Sequence, residues 1–222
     1  MKFFKLLKKI APYFYLLAYL ATTVLIIIKA AETGEVSAAQ SSNLAEYLKE
    51  NVVGMKEIAE KSADFPTLVR KFVGHYGLFA VNGFFATLSA FSFIKKSMPA
   101  ILISFLSGVI ISLLSEFIQG FTDGRTLSFT DVILNVQGNI SGISIALIFS
   151  LTFSFKNNEC FLKNLKSYLI FILISIVTIL IYCAFSKKSE SVEVCTIVEI
   201  IVVSFWLLIE GIYLIFKRKK LN

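Results

Sequence analysis

The chain has 222 residues, a formal net charge of +7, 56% hydrophobic and 14% aromatic residues, and a mean hydropathy of +0.78. A water-soluble surface does not tolerate that composition, so the sequence predicts an integral membrane protein. No nucleic-acid partner is expected, because the basic residues are spread loop by loop rather than gathered on one aromatic-laced face. A β-barrel is disfavoured, because the apolar runs are continuous rather than alternating.

Runs long enough to cross about 30 Å of hydrocarbon lie at 11–29, 72–94, 100–118, 132–155, 167–186 and 195–216. They predict an all-α, polytopic membrane helical bundle of about six transmembrane helices, forming a single membrane domain over 1–222. Lys2, Lys5, Lys8 and Lys9 precede the first run as they would in a signal peptide. Its apolar core is long and no small-x-small cleavage site comes after it, so it reads as a retained signal-anchor helix.

Residues 30–71 are too long for a simple turn and predict an amphipathic outer segment between the first two spans. Ser42 or Asn43 is the expected cap of a helix whose apolar stripe is Leu44, Tyr47, Leu48 and Val52. Gly54 should interrupt it, Met55, Ile58 and Ala59 should begin a second piece, and Asp64-Phe65-Pro66 suits the start of the second span. The segment should lie flat on the leaflet or cap the bundle.

The third span carries Ser104, Gly108, Ser112, Ser115 and Gln119 at steps of three or four, and the fourth carries Asp131, Asn135, Gly138 and Gly142. The second has a weaker stripe of His75, Asn82, Ala86 and Ser89. Small residues let helices in lipid approach closely, so spans two to four should form the tight core, with Gly108, Gly138 and Gly142 as packing glycines. The fifth span has no such stripe and should face lipid.

Basic residues mark alternate connections: the amino terminus, Lys95 and Lys96, then Lys156, Lys163 and Lys166, then Lys217 to Lys220. The intervening segment 30–71 holds seven acids against five bases. By the positive-inside rule, both termini are cytoplasmic in a multi-pass cell-membrane protein. Cys160, Cys183 and Cys195 match neither a metal-ligand spacing nor a disulfide framework, and no metal or cofactor is expected. Pairing of Cys183 with Cys195 stays open beside the plainer reading of two apolar fillers. Glu199 and Glu210 share a face of the last span and suit a packing or oligomer contact, with the oligomeric state left open.

With this topology His75, Glu116, Gln119, Arg125, Asp131 and Asn135 meet at one level, on the outer face. Ionisable residues at such helix ends mark a functional site by default. An ion-paired staple closing the loop between spans three and four is the structural reading. A ligand site is the other, because two carboxylates against one guanidinium leave an acid that a simple pair does not require. His75 can hydrogen-bond a neighbouring helix or shuttle a proton.

The combination Arg70-Lys71-x3-His75, Glu116-x2-Gln119, Arg125 and Asp131-x3-Asn135-x2-Gly138-x3-Gly142 resembles the VanZ-like family of small bacterial membrane proteins over about 70–145. Many relatives place an acid and a tyrosine shortly after the histidine, where this chain has Leu78 and Phe79. The resemblance implies a polytopic cell-envelope protein, some relatives being associated with resistance to teicoplanin and related antibiotics. Expected partners are membrane lipids and a lipid-linked cell-wall intermediate or lipoglycopeptide. Three classes stay open: a binding protein, a membrane-embedded enzyme using Glu116 or Asp131 as acid or base, and a lipid transporter. No nucleophile elbow or phosphate loop supports the enzyme.

Overall fold

A computed structural model describes residues 2–94, 96–153, 173, 175–177 and 190–219. Most of the fifth expected span, together with Lys156, Cys160, Lys163, Lys166 and Cys183, lies outside the described residues, as does the side chain of Glu210. The elements are α1 (Lys2–Ala30), α2 (Gly34–Asn51), α3 (Met55–Lys61), α4 (Phe65–Val69), a π-helical stretch (Arg70–Gly77), α5 (Leu78–Phe93), α6 (Ser97–Gln119), α7 (Phe129–Phe153) and α8 (Glu190–Lys219). Every regular element among the described residues is helical. Lys9–Ala30, Phe65–Phe93, Ser97–Gln119 and Phe129–Phe149 are long and apolar enough to cross a membrane. The sixth expected span falls within α8. Ile103, Leu106, Ile110, Leu113, Leu114 and Phe117 of α6 all point outward, a face that lipid covers and water would not tolerate.

The segment after α1 begins its helix earlier than Ser42 or Asn43. Thr33 is the cap, its hydroxyl accepting from Val36 N–H at 3.4 Å, and Glu35 sits in the first turn where the helix dipole favours an acid. Ser42 and Asn43 are inside α2. The buried face is also rotated from the expected one: Ser41 and Ala45 are buried, while Tyr47 is 61% exposed. Ala45 packs with Phe65, Leu68 and Val69, so α2 caps the start of the second span. Gly54 breaks the helix at a φ of 85°, a left-handed conformation that suits glycine. Asp64 then accepts from Thr67 N–H at 3.1 Å, with Pro66 in the first turn, and starts α4.

Helix α7 is the centre of the bundle, packed by α5, α6, α8 and the π stretch. Two glycines permit this: a Cβ on Gly138 would overlap the Tyr76 carbonyl, and one on Gly142 would overlap the Ala80 carbonyl. Asn139 is likewise clamped between Gly83 of α5 and Gly108 of α6. The last helix belongs to the core as well, because Val203 and Trp206 interlock with Ile101, Ile140, Ile143 and Leu147. Helix α1 docks on α5 through the Asn82 amide, which donates to Thr22 and Thr23 hydroxyls at 2.9 Å each. Cys195 is a buried free cysteine packed with Tyr76 and Leu134.

Candidate functional site

The end of α6, the start of α7 and the π stretch meet at one end of the bundle. The α6–α7 loop turns at Gly124, with a φ of 70°. It is tied back to the first helices by Gly34 N–H donating to the Asp123 carbonyl at 2.9 Å and by the Thr122 hydroxyl donating to the Ala30 carbonyl at 3.3 Å. A π turn inserts an extra residue and shifts the register of the helix beyond it. Here it brings Arg70 and His75 into contact with a cavity while Tyr76 packs inward, its hydroxyl 2.7 Å from that of Ser141.

All six expected residues converge. His75 Nδ1 lies 3.1 Å from Asn135 Oδ1 and 3.7 Å from Glu116 Oε1, and its Nε2 lies 3.9 Å from Asp131 Oδ2. The Gln119 amide nitrogen donates to Glu116 Oε1 at 3.1 Å, and its oxygen accepts from Arg125 Nη2. Ser128 N–H donates to Glu116 Oε2 at 3.3 Å. Glu116, Gln119, Asn135, His75 and Asp131 are all buried, whereas Arg125 is partly open. The acids that face His75 come from α6 and α7, not from positions 78 and 79, so the departure from the relatives' pattern does not leave the histidine without carboxylates.

Two residues that enter the sequence reading only through the resemblance join the site. Lys71 Nζ stands 3.4 Å from Asp131 Oδ1. Arg70 lines a cavity of about 300 Å³ together with Lys29, His75, Gln119 and Arg125, against apolar walls from Ile26, Val69, Val73 and Phe79. Their i, i+1 spacing places them at a span entrance, and only the π turn shows which way each faces. Burial, reinforced by the neighbouring Arg70 cation, pulls the Arg125 guanidinium below its ordinary value, with Glu116, Asp131 and Glu32 opposing. Arginine nonetheless stays charged, so the cavity carries a surplus of cations.

The spacing of small and polar residues does not reveal a deeper polar layer. Gln137 and Asn139 of α7 are fully buried, and the Gln137 amide nitrogen donates to the Thr196 hydroxyl at 3.2 Å. Both lie on the buried side of α7 beside the glycine positions, where packing rather than polarity is the expected role.

These features define a helical membrane protein whose polar centre is assembled from the ends of its spans. The VanZ/LLP1 family description matches residues 13–151, a stretch that contains every residue of the site, and the chain belongs to that family. No curated protein and no solved structure matched the chain.

Proposed function

We propose that this VanZ-family membrane protein lowers susceptibility to teicoplanin-type, lipid-tailed glycopeptide antibiotics by engaging an anionic, lipid-borne group in the arginine-lined cavity. The observation that carries this reading is Arg70 Nε, buried without a hydrogen-bond acceptor, on a side chain that shares the cavity with Arg125. Leaving such a donor unpaired costs about 1–3 kcal/mol. A phosphate or carboxylate entering the cavity accepts from guanidinium groups in a geometry that suits them. A volume of about 300 Å³ is at the lower edge for small-molecule sites. The cavity therefore takes a head group or part of an acyl chain, not a whole glycopeptide, which favours a lipid-linked cell-wall intermediate or a phospholipid head over the intact drug.

The alternation of basic connections supports cytoplasmic termini and an outer-face cavity. There an acyl tail, at about 0.8 kcal/mol per buried methylene, concentrates the ligand or the drug beside Arg70 and Arg125. The test compares inhibitory concentrations of tailed and tail-less members of one antibiotic class in cells expressing wild type, Arg70→Ala or Arg125→Ala at matched abundance. Wild type should protect mainly against the tailed member. Each variant should lose that protection, since a charge-assisted hydrogen bond is worth about a tenfold change in affinity or more. A cysteine at Asp123 should be labelled in intact cells. Equal protection against both members, full protection by both variants, or labelling only after permeabilisation would overturn the reading.

A further inference from the structure

We infer that His75, Glu116 and Asp131 form a binding site for a divalent transition-metal ion of the zinc type. One donor atom from each residue lies within 4.8 Å of the other two. A tetrahedral zinc ion, with ligands at 2.0–2.2 Å, holds them about 3.4 Å apart, so side-chain movements of about 1 Å close the set. Imidazole nitrogen and carboxylate oxygen are both zinc ligands, and a set of three protein ligands leaves the fourth position open.

Donor and acceptor accounting points the same way. With Nδ1–H donating to Asn135 Oδ1 at 3.1 Å, Nε2 presents a lone pair to Asp131 Oδ2 across 3.9 Å, and Glu116 Oε1, which stands 3.7 Å from Nδ1, would turn toward Nε2 to complete the set. Two acceptors facing each other in a buried site call for a cation between them. Lys71 does not supply it, because it stands at the other oxygen, Oδ1. Glu116 hydrogen-bonds to neutral groups, the Gln119 amide and the Ser128 N–H, and the Gln119 side chain stands between it and Arg125. The Asn135 carbonyl holding Nδ1–H is the outer-shell contact that orients a metal-bound histidine. His75 and Gln119 both line the cavity, so the open coordination position faces the place where an anionic oxygen would enter. The metal site does not require the antibiotic reading.

The experiment uses the full-length protein in detergent, stripped with a chelator, dialysed against zinc and measured by elemental analysis. Wild type should retain one zinc ion per chain. His75→Gln and Glu116→Gln should retain almost none, Asn135→Ala should bind about 10–100-fold more weakly, and Asp64→Asn, outside the cluster, should bind as wild type does. Cobalt loaded into wild type should give the intense visible absorption of a tetrahedral site, a readout that needs no variant to fold. Failure to retain zinc or to give that spectrum, or equal retention by monodisperse His75→Gln, would overturn the metal site. Zinc retained with no antibiotic effect would refute only the proposed function.

Discussion

Gly142→Ala and Gly74→Ala are the same chemical change in helical backbone, and the structure assigns them opposite signs. A Cβ at Gly142 would overlap the Ala80 carbonyl and crowd Phe84 N, both backbone atoms that cannot rotate away. A Cβ at Gly74 would meet nothing within 4 Å. Replacing glycine by alanine gains about 0.4–1 kcal/mol wherever the backbone permits it. Overpacking costs about 1–3 kcal/mol, and a rigid backbone neighbour puts Gly142 toward the upper end. The net expectation is a loss of about 1–2 kcal/mol at Gly142 and a gain of up to about 1 kcal/mol at Gly74. At about 2–4 °C per kcal/mol for a chain of this size, the midpoint falls about 2–8 °C in the first variant and rises about 1–4 °C in the second. Trp206, the single tryptophan, is buried beside Ile143, and its fluorescence in one detergent reports the α7–α8 core. Apparent midpoints are compared at one scan rate, because membrane proteins often unfold irreversibly. A Gly142→Ala protein as stable as wild type would refute the close approach of α7 to α5, and a loss at Gly74 would refute the open space beside the π stretch.

Asp64→Ala should lower stability by about 0.5–2 kcal/mol through the lost cap. The Thr67 hydrogen bonds hold the Asp64 carboxyl below its ordinary value of 3.8. The cap's contribution is therefore complete above that value and fades as pH falls through the lower folded value. The gap between wild-type and variant midpoints should be constant near neutrality and narrow in acid; a gap that widens in acid would contradict the assignment. Tyr76→Phe and Ser141→Ala break the hydroxyl pair that joins the π stretch to α7. Together they should cost less than the sum of their separate effects, with a coupling of about 0.5–1.5 kcal/mol in a double-mutant cycle; strictly additive losses would show that the pair is not made.

Composition and run length were enough for the helical membrane class, because a segment that buries its backbone in lipid must be helical and apolar over about 20 residues. The spacing of Glu116 with Gln119, and of Asp131 with Asn135, was legible because each pair lies on one helical face, and a short loop forces the ends of α6 and α7 together. The start of α2 is not legible, since a hydroxyl cap at Thr33 and one at Ser42 look alike until the helix has something to pack on. The burial of Ala45 against Phe65 decided which stripe faced inward. Only the tertiary structure placed the remainder. His75 is far in sequence from both carboxylates that face it, the π turn sets the direction of Arg70 and Lys71, and Trp206 joins the core across segments no local pattern connects. Periodicity records which face of a helix is polar, whereas the partner of that face depends on how helices distant in the chain are brought together, and in lipid that choice is made by close packing at glycines such as Gly138 and Gly142.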